Sequence, residues 1–332
     1  MKQQGVLRRV LLPFSLAYGA IAQARVSLYG SGIVAQRRLS GIVVSIGNLS
    51  VGGTGKTPMV IWLAEKLAAT GKRLGILTRG YKGGRRESDE VALMRARLGN
   101  DIPIGVGADR YSRGLELARS GVEWFILDDG FQHLRLARDA DIVLVDGTVP
   151  LESGLLLPAG SLRERPAALG RADVLVVTRT RRAPEIEAEV RKNSQAPIFY
   201  AWPRLVGCCR LDAGETATQQ PVTGPVYAFC GLGNPGAFFT DLERWRFTLA
   251  GRAVFPDHHA YSRADVERLE ARAQRARAAA LVTTEKDAMN LRGLKLSGLP
   301  AYFCRMDLEI QDAARFLETV ESIALRRRGR AA

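Results

Sequence analysis

Short unbroken apolar runs alternate with segments of helical periodicity along most of the chain. Residues 42–46, 74–77, 124–127, 142–145 and 174–177 are continuous runs, not alternating ones. Such runs suit strands covered on both faces, the usual state of a parallel sheet. The helical pattern after the first run extends to about Ala69. Strand–helix alternation of this kind predicts a doubly wound, mostly parallel α/β domain. Composition shifts after Trp202-Pro203. Residues 206–224 are short of large apolar groups and read as a connector. Runs at 226–229, 281–283 and 302–304, with an Arg- and Ala-rich helical pattern over 265–280, predict a second, smaller α/β domain over 225–320. The reading therefore places a helix at 1–29, a core at 30–205 and a solvated basic tail at 321–332.

The N-terminal segment has its own pattern. Lys2, Arg8 and Arg9 precede an uncharged run over residues 10–24 that contains Pro13. It is shorter than the roughly 20 apolar residues needed to cross a bilayer. Ala20-Ile21-Ala22 imitates a signal-cleavage site, a reading that the chemistry further along the chain decides against. The segment is read as a basic, apolar helix on the membrane surface; the alternative is a helix packed on the protein's own core.

With 332 residues the chain can bury one large or two ordinary domains. The net charge of +14 calls for an anionic partner: nucleic acid, membrane lipid or a phosphorylated substrate. No RNA- or DNA-binding signature is visible, so nucleic acid is not expected. The four cysteines, Cys208, Cys209, Cys230 and Cys304, form no CxxC pair and read as free thiols in a reducing compartment.

The candidate chemistry starts at Ser50-Val51-Gly52-Gly53-Thr54-Gly55-Lys56-Thr57, between a predicted strand and a predicted helix. This is the P-loop pattern. Glycines let backbone N–H groups turn onto phosphate oxygens, and the following helix N-terminus faces the same charge. Lys56 reaches the β- and γ-phosphates, and Thr57 ligates Mg²⁺. Ser50 stands where the first glycine is usual, which a serine tolerates only without a positive φ. The second element is the acidic pair Asp128-Asp129 ending an apolar run, placed to hold the Mg²⁺ shell. Together they specify ATP and Mg²⁺ as cofactors. A GTPase is excluded, because in Thr284-Glu285-Lys286-Asp287 the Lys and Asp are adjacent. A ParA-like ATPase would carry Lys at the position of Val51.

At this point the chain resembles the tetraacyldisaccharide 4'-kinase family. The likeness rests on Gly47-Asn48-Leu49 leading into the phosphate loop and Pro58 after it, Ser88-Asp89-Glu90, and Asp128-Asp129-Gly130-Phe131-Gln132-His133. Leu157-Pro158-Ala159-Gly160, Leu162-Arg163-Glu164, Asp257-His258-His259 and Thr283-Thr284-Glu285-Lys286-Asp287 complete it. The resemblance implies a P-loop NTPase-like core joined to a smaller C-terminal domain, closing around the nucleotide. It implies phosphorylation of the 4'-hydroxyl of a tetraacyldisaccharide 1-phosphate lipid, giving lipid IVA in lipid A synthesis, at the cytoplasmic face of the bacterial inner membrane. The basic surface and N-terminal helix fit an anionic glycolipid, and no obligate protein partner is evident. Competing readings are a membrane-associated P-loop ATPase switch without a lipid acceptor, and a basic nucleic-acid-binding ATPase.

The resemblance also assigns Asp89 as the base for the attacking hydroxyl, with His258 as its partner. By sequence alone Asp89 would be a solvated loop acid. Arg163 is placed as a phosphate clamp, with Glu90 grouped on the same substrate-phosphate side, and Glu164 as a further member of the Mg²⁺ shell. Otherwise Arg163-Glu164 is a surface ion pair. His259 packs or meets lipid phosphate, His133 is structural, and residues 283–287 make interdomain or adenine-side contacts.

Overall fold

The computed structural model describes residues 2–80, 88–149, 151, 154–212 and 219–331. In chain order its elements are α1 (Lys2–Gly30), β1 (Ile42–Asn48), α2 (Lys56–Ala69), β2 (Leu74–Thr78), α3 (Asp89–Leu98), β3 (Ile104–Val106), α4 (Arg110–Arg119), β4 (Trp124–Asp128) and β5 (Ala140–Asp146). A 3₁₀ turn follows at Pro166–Arg171. Next come β6 (Val174–Thr178), α5 (Pro184–Arg191), β7 (Ile198–Arg210), β8 (Gln219–Gln220), β9 (Val226–Cys230), α6 (Pro235–Arg244) and β10 (Leu249–Val254). The last are α7 (Arg263–Arg275), β11 (Ala280–Thr284), α8 (Glu285–Asn290), β12 (Ala301–Ile310) and α9 (Ala313–Ala331).

Two compact units form, and neither is a continuous stretch of chain. The first takes residues 1–81, 100–202 and 309–332; the second takes 82–99 and 203–308. In the first unit the strands run β6-β5-β1-β4-β2-β3, every pair parallel, and the start of β7 pairs in parallel with β6. The chain winds outward from β1 to β2 and β3, returns to insert β4, and then crosses to the other side of β1. The loop after β1 therefore opens at the switch point, where doubly wound sheets bind ligands. β1, β2, β4 and β6 are buried throughout, as their continuous apolar runs require.

In the second unit β10-β9-β11-β12 form a parallel set flanked by α6 and α7. Phe229, Tyr261, Leu269 and Leu281 pack one side, and Ala228, Phe238, Leu242 and Cys304 the other.

The structure departs from the sequence reading at several boundaries. Residues 206–210 are strand within β7, and Gln219–Gln220 pair antiparallel with Cys208 and Cys209, so both of these pieces of the connector are sheet edge. Its residues 213–218 lie outside the described residues. The helix expected to reach 280 stops at Arg275, because Ala280 begins β11. The basic tail is the end of α9, where Arg327 pairs with Asp173 and Arg328 donates to the Leu39 carbonyl. Residue 309 onward belongs to the first unit. Strands β3 and β10 carry no continuous apolar run and went unread, and so did β7, although it opens with the apolar run 198–202.

Candidate active site

In the first unit, β1 delivers the loop 50–55 and α2 begins at Lys56. Gly52 and Gly55 have φ of 119° and 87°, which only glycine adopts without strain. Ser50 is not among the positive-φ residues, so serine is tolerated there. Three side chains shape the loop. Asn48 Nδ2 donates to the Ser50 carbonyl at 2.7 Å and to Thr54 Oγ1 at 2.8 Å. Thr178 Oγ1 donates to the Thr54 carbonyl at 3.1 Å, and Arg179 Nη2 donates to the Gly53 carbonyl. Val51 is 42% exposed at the loop tip.

Lys56 Nζ lies 3.5 Å from Asp129 Oδ1 and 3.2 Å from Asn48 Oδ1. Arg163 Nη1 bonds Asp129 Oδ2 at 2.7 Å. Burial pushes the Asp129 carboxyl pKa up, but Lys56 and Arg163 outweigh it and hold the group below its ordinary range. Asp129 has φ 50°, an uncommon conformation for a side-chain-bearing residue and a signature of functional positions. Its buried Oδ1 accepts no hydrogen bond. An ionised carboxylate oxygen beside a phosphate loop, faced among the described residues only by the Lys56 ammonium at 3.5 Å, fits a hard divalent cation. Asp128 is 4% exposed and accepts from Thr78 Oγ1 at 2.9 Å. Thr57 occupies the second position of α2. Glu164, given to the metal shell by resemblance, is held differently. Arg171 Nη2 grips it at 2.9 Å and Gln132 Nε2 donates to it at 3.0 Å. Its carboxylate is therefore engaged within the protein and braces the segment carrying Arg163.

Arg110 was not singled out in the sequence. It opens α4, is 7% exposed, and among the described residues has no ion-pair partner. It donates only to the Ala108 carbonyl at 3.2 Å, and its Nε is unpartnered. Burial and Arg79 depress its pKa. Burial, with Arg110, Arg138, Arg25 and Arg135 around it, pulls the nearby His133 down to about 4. Asp128 and Asp129 oppose that shift from beyond direct contact, and a buried guanidinium with no carboxylate bonded to it is stabilised when an anion joins it.

In the second unit, Ser88 caps α3 and Asp89 is its first residue. The Asp89 side chain is 3% exposed. His258 Nδ1 bonds its two oxygens at 2.9 and 3.0 Å, and Asn290 Nδ2 donates to Oδ2 at 3.2 Å. Burial raises the Asp89 pKa, but His258 and Lys286 prevail and the group lies below its ordinary value. The Asp89 hydrogen bond raises the His258 pKa, against burial and Lys286. His258 has φ 58°, held by its own N–H donating to Asp257 Oδ1 at 3.1 Å. The carboxylate–imidazole pair expected from the resemblance is thus assembled. Glu90 shows only its backbone N–H donating to Asp89 Oδ1 at 2.9 Å. Its charge has the wrong sign for a phosphate clamp. His259 packs between Phe255 and Tyr261, with Nε2 3.1 Å from Asp265. Of the basic stretch 79–86, residues 81–86 lie outside the described residues.

The segment 283–287 proves to be the frame of this half-site. Thr284 caps α8. Asp287, 1% exposed, accepts from the Gly231 N–H at 2.9 Å, the Tyr261 hydroxyl at 2.8 Å and Thr284 Oγ1 at 2.6 Å. Glu285 pairs with Arg97 of α3 at 3.0 Å. Lys286 and Asn290, one turn apart, meet the Asp89–His258 pair. The run of polar residues straight after an apolar strand was the available sequence signal.

The family description for tetraacyldisaccharide-1-P 4'-kinase matches residues 7–324. The chain belongs to this kinase family. Relatives named tetraacyldisaccharide 4'-kinase include one from Geobacter metallireducens, 39% identical over 91% of this chain and 94% of its own length. Another, from Pelobacter propionicus, is 35% identical over 96% of this chain and 92% of its own. Among solved structures, the kinase of Aquifex aeolicus in complex with ATP aligns over 96% of this chain and 99% of its own, at 31% identity and TM-score 0.70.

Proposed function

We propose that this chain transfers the γ-phosphate of ATP to the 4'-hydroxyl of a tetraacyldisaccharide 1-phosphate lipid, forming the bisphosphorylated lipid IVA of lipid A synthesis. The hydroxyl oxygen bonds to the γ-phosphorus, the bond from that phosphorus to the β,γ-bridging oxygen breaks, and ADP leaves. The hydroxyl proton passes to the Asp89–His258 pair. The loop 50–55 wraps the phosphates with backbone N–H groups, and Lys56 and Arg163 place positive charge where the transferring group becomes more anionic. Thr57, Asp128 and Asp129 are the residues that would hold Mg²⁺, which when bound screens the β- and γ-oxygens. Arg110 offers a desolvated guanidinium to a substrate phosphate.

The observation that carries the reading against an ATPase switch is the His258 Nδ1 contact with Asp89 at 2.9 Å. A buried, oriented proton acceptor serves an acceptor hydroxyl. Among the described residues no helix is long and apolar enough to cross a membrane. Helix α1 nonetheless exposes Val10, Phe14, Leu16 and Ile21 at 60–71%, while Ser15 and Gly19 face inward against Leu156. A helix apolar on its outer face suits the interfacial plane of a bilayer, which supports peripheral attachment at the cytoplasmic face of the inner membrane. Labelled ATP incubated with the lipid disaccharide 1-phosphate tests the whole reading. Label appearing in the lipid supports it, and release of inorganic phosphate alone refutes it.

A further inference from the structure

The Asp89–His258 pair carries a third charged neighbour. Lys286 Nζ stands 3.4 Å from His258 Nε2, 3.8 Å from Asp89 Oδ2 and 3.1 Å from Asp257 Oδ1. It is 18% exposed, and α8 cannot easily rotate, because Thr284, Glu285 and Asp287 tie it down on three sides. An ammonium group only donates hydrogen bonds. The ring nitrogen facing it must therefore present a lone pair, and the ring's one proton must lie on Nδ1, toward Asp89. Asp89 and Asp257 pull in the other direction, since both favour a protonated ring. Without the lysine the ring's affinity for a second proton would rise, and a pair already holding that proton cannot accept another from a sugar hydroxyl.

We propose that Lys286 is a positioning residue for the Asp89–His258 pair: its ammonium occupies the Nε2 side of the ring, fixes the Nδ1–H tautomer, and opposes uptake of a second proton by the ring. The proposal rests on the reading of that pair as the proton acceptor. Among the described residues the titratable groups facing the ring are Asp89 from α3, Asp257 from the loop before α7, and Lys286 from α8. Removing the lysine's positive charge leaves the Asp89 and Asp257 carboxylates acting on the ring, so its proton affinity rises. A charge at this separation moves a pKa by about one unit or more.

The test is ¹⁵N NMR of histidine-labelled full-length protein, wild type against Lys286→Met and Lys286→Arg, titrated over neutral pH. It needs no turnover, so it stands or falls separately from the lipid-kinase reading. In the wild type, neutral His258 should show a protonated Nδ1 and an unprotonated Nε2. In Lys286→Met its titration midpoint should rise by about one pH unit, and Lys286→Arg, which keeps the charge, should stay near wild type. The acid limb of the kcat profile should move upward in parallel in Lys286→Met, with rate recovered at higher pH. A merely structural lysine would lower kcat equally at every pH. An unchanged His258 midpoint and tautomer in Lys286→Met overturns the proposal, and so does a Lys286→Arg protein that titrates like Lys286→Met.

Discussion

Asp89→Ala and His258→Ala should each lower kcat without much change in KM for ATP. Lys56, Thr57, Asp128 and Asp129, the residues proposed to hold nucleotide and metal, belong to the other unit. General-base assistance contributes about 10² to 10⁴-fold, or about 2.7–5.4 kcal/mol at 1.36 kcal/mol per tenfold. The geometry places this pair toward the upper part of that range. The carboxylate is 3% exposed, so water cannot readily replace it, and both its oxygens face the same ring nitrogen. For the same reason the two losses should not multiply. Without His258, Asp89 keeps Asn290 and the Glu90 N–H but loses the partner that orients its outer face. Without Asp89, His258 is left with Asp257 and Lys286. The double variant should therefore lose about what one single variant loses. The assay is single-turnover phosphoryl transfer at saturating ATP, over a pH series. Rate should rise with pH through the apparent pKa of the pair and then level off, because the deprotonated form is the competent one. Strict multiplicativity of the two losses, or a pH profile unchanged in the single variants, would refute the coupling.

Lys56→Ala should abolish turnover with the fold intact by circular dichroism, since its partners Asp129 and Asn48 line the phosphate loop; near-normal kcat would sink the assignment. Arg110→Met should weaken use of the lipid while changing melting temperature little, because the buried guanidinium bonds the Ala108 carbonyl and feels Asp128 and Asp129 without a direct ion pair; a marked loss of melting temperature would show that the arginine is structural. Asp287→Ala should destabilise by about 2–5 kcal/mol in urea unfolding, as it strands the buried Gly231 N–H and Tyr261 hydroxyl, and a change under about 0.5 kcal/mol would contradict that role. Phe14→Ser, Leu16→Ser and Ile21→Ser together should lower sedimentation with anionic vesicles, whereas undiminished binding would mean that α1 serves only the protein's own packing.

Much of the first unit was legible because its signals are local. A strand buried on both faces must be apolar at every position, and a phosphate loop needs glycine where φ is positive, as Gly52 and Gly55 show. Asp128-Asp129 and Lys56 follow from the same short motifs. What the chain alone could not display depends on burial and on contacts between distant segments. Asp89 looks like an ordinary loop acid until α3 and α8 enclose it, and residues 169 positions apart become hydrogen-bonded. Arg110 is one of many arginines until its desolvation without a partner distinguishes it. Strand β10, half-exposed and broken by Gly251 and Arg252, lacks the continuous apolar pattern that marked the others. The segment 283–287 could be recognised as a motif, but not as a frame. Its four roles, capping, pairing with α3, meeting the imidazole and anchoring Gly231, arise only because four separate parts of the chain converge on one short helix. Local chemistry was written in the order of residues; which charges are buried, and what faces them, was decided by the tertiary fold, because desolvation and hydrogen-bond geometry are properties of the packed chain.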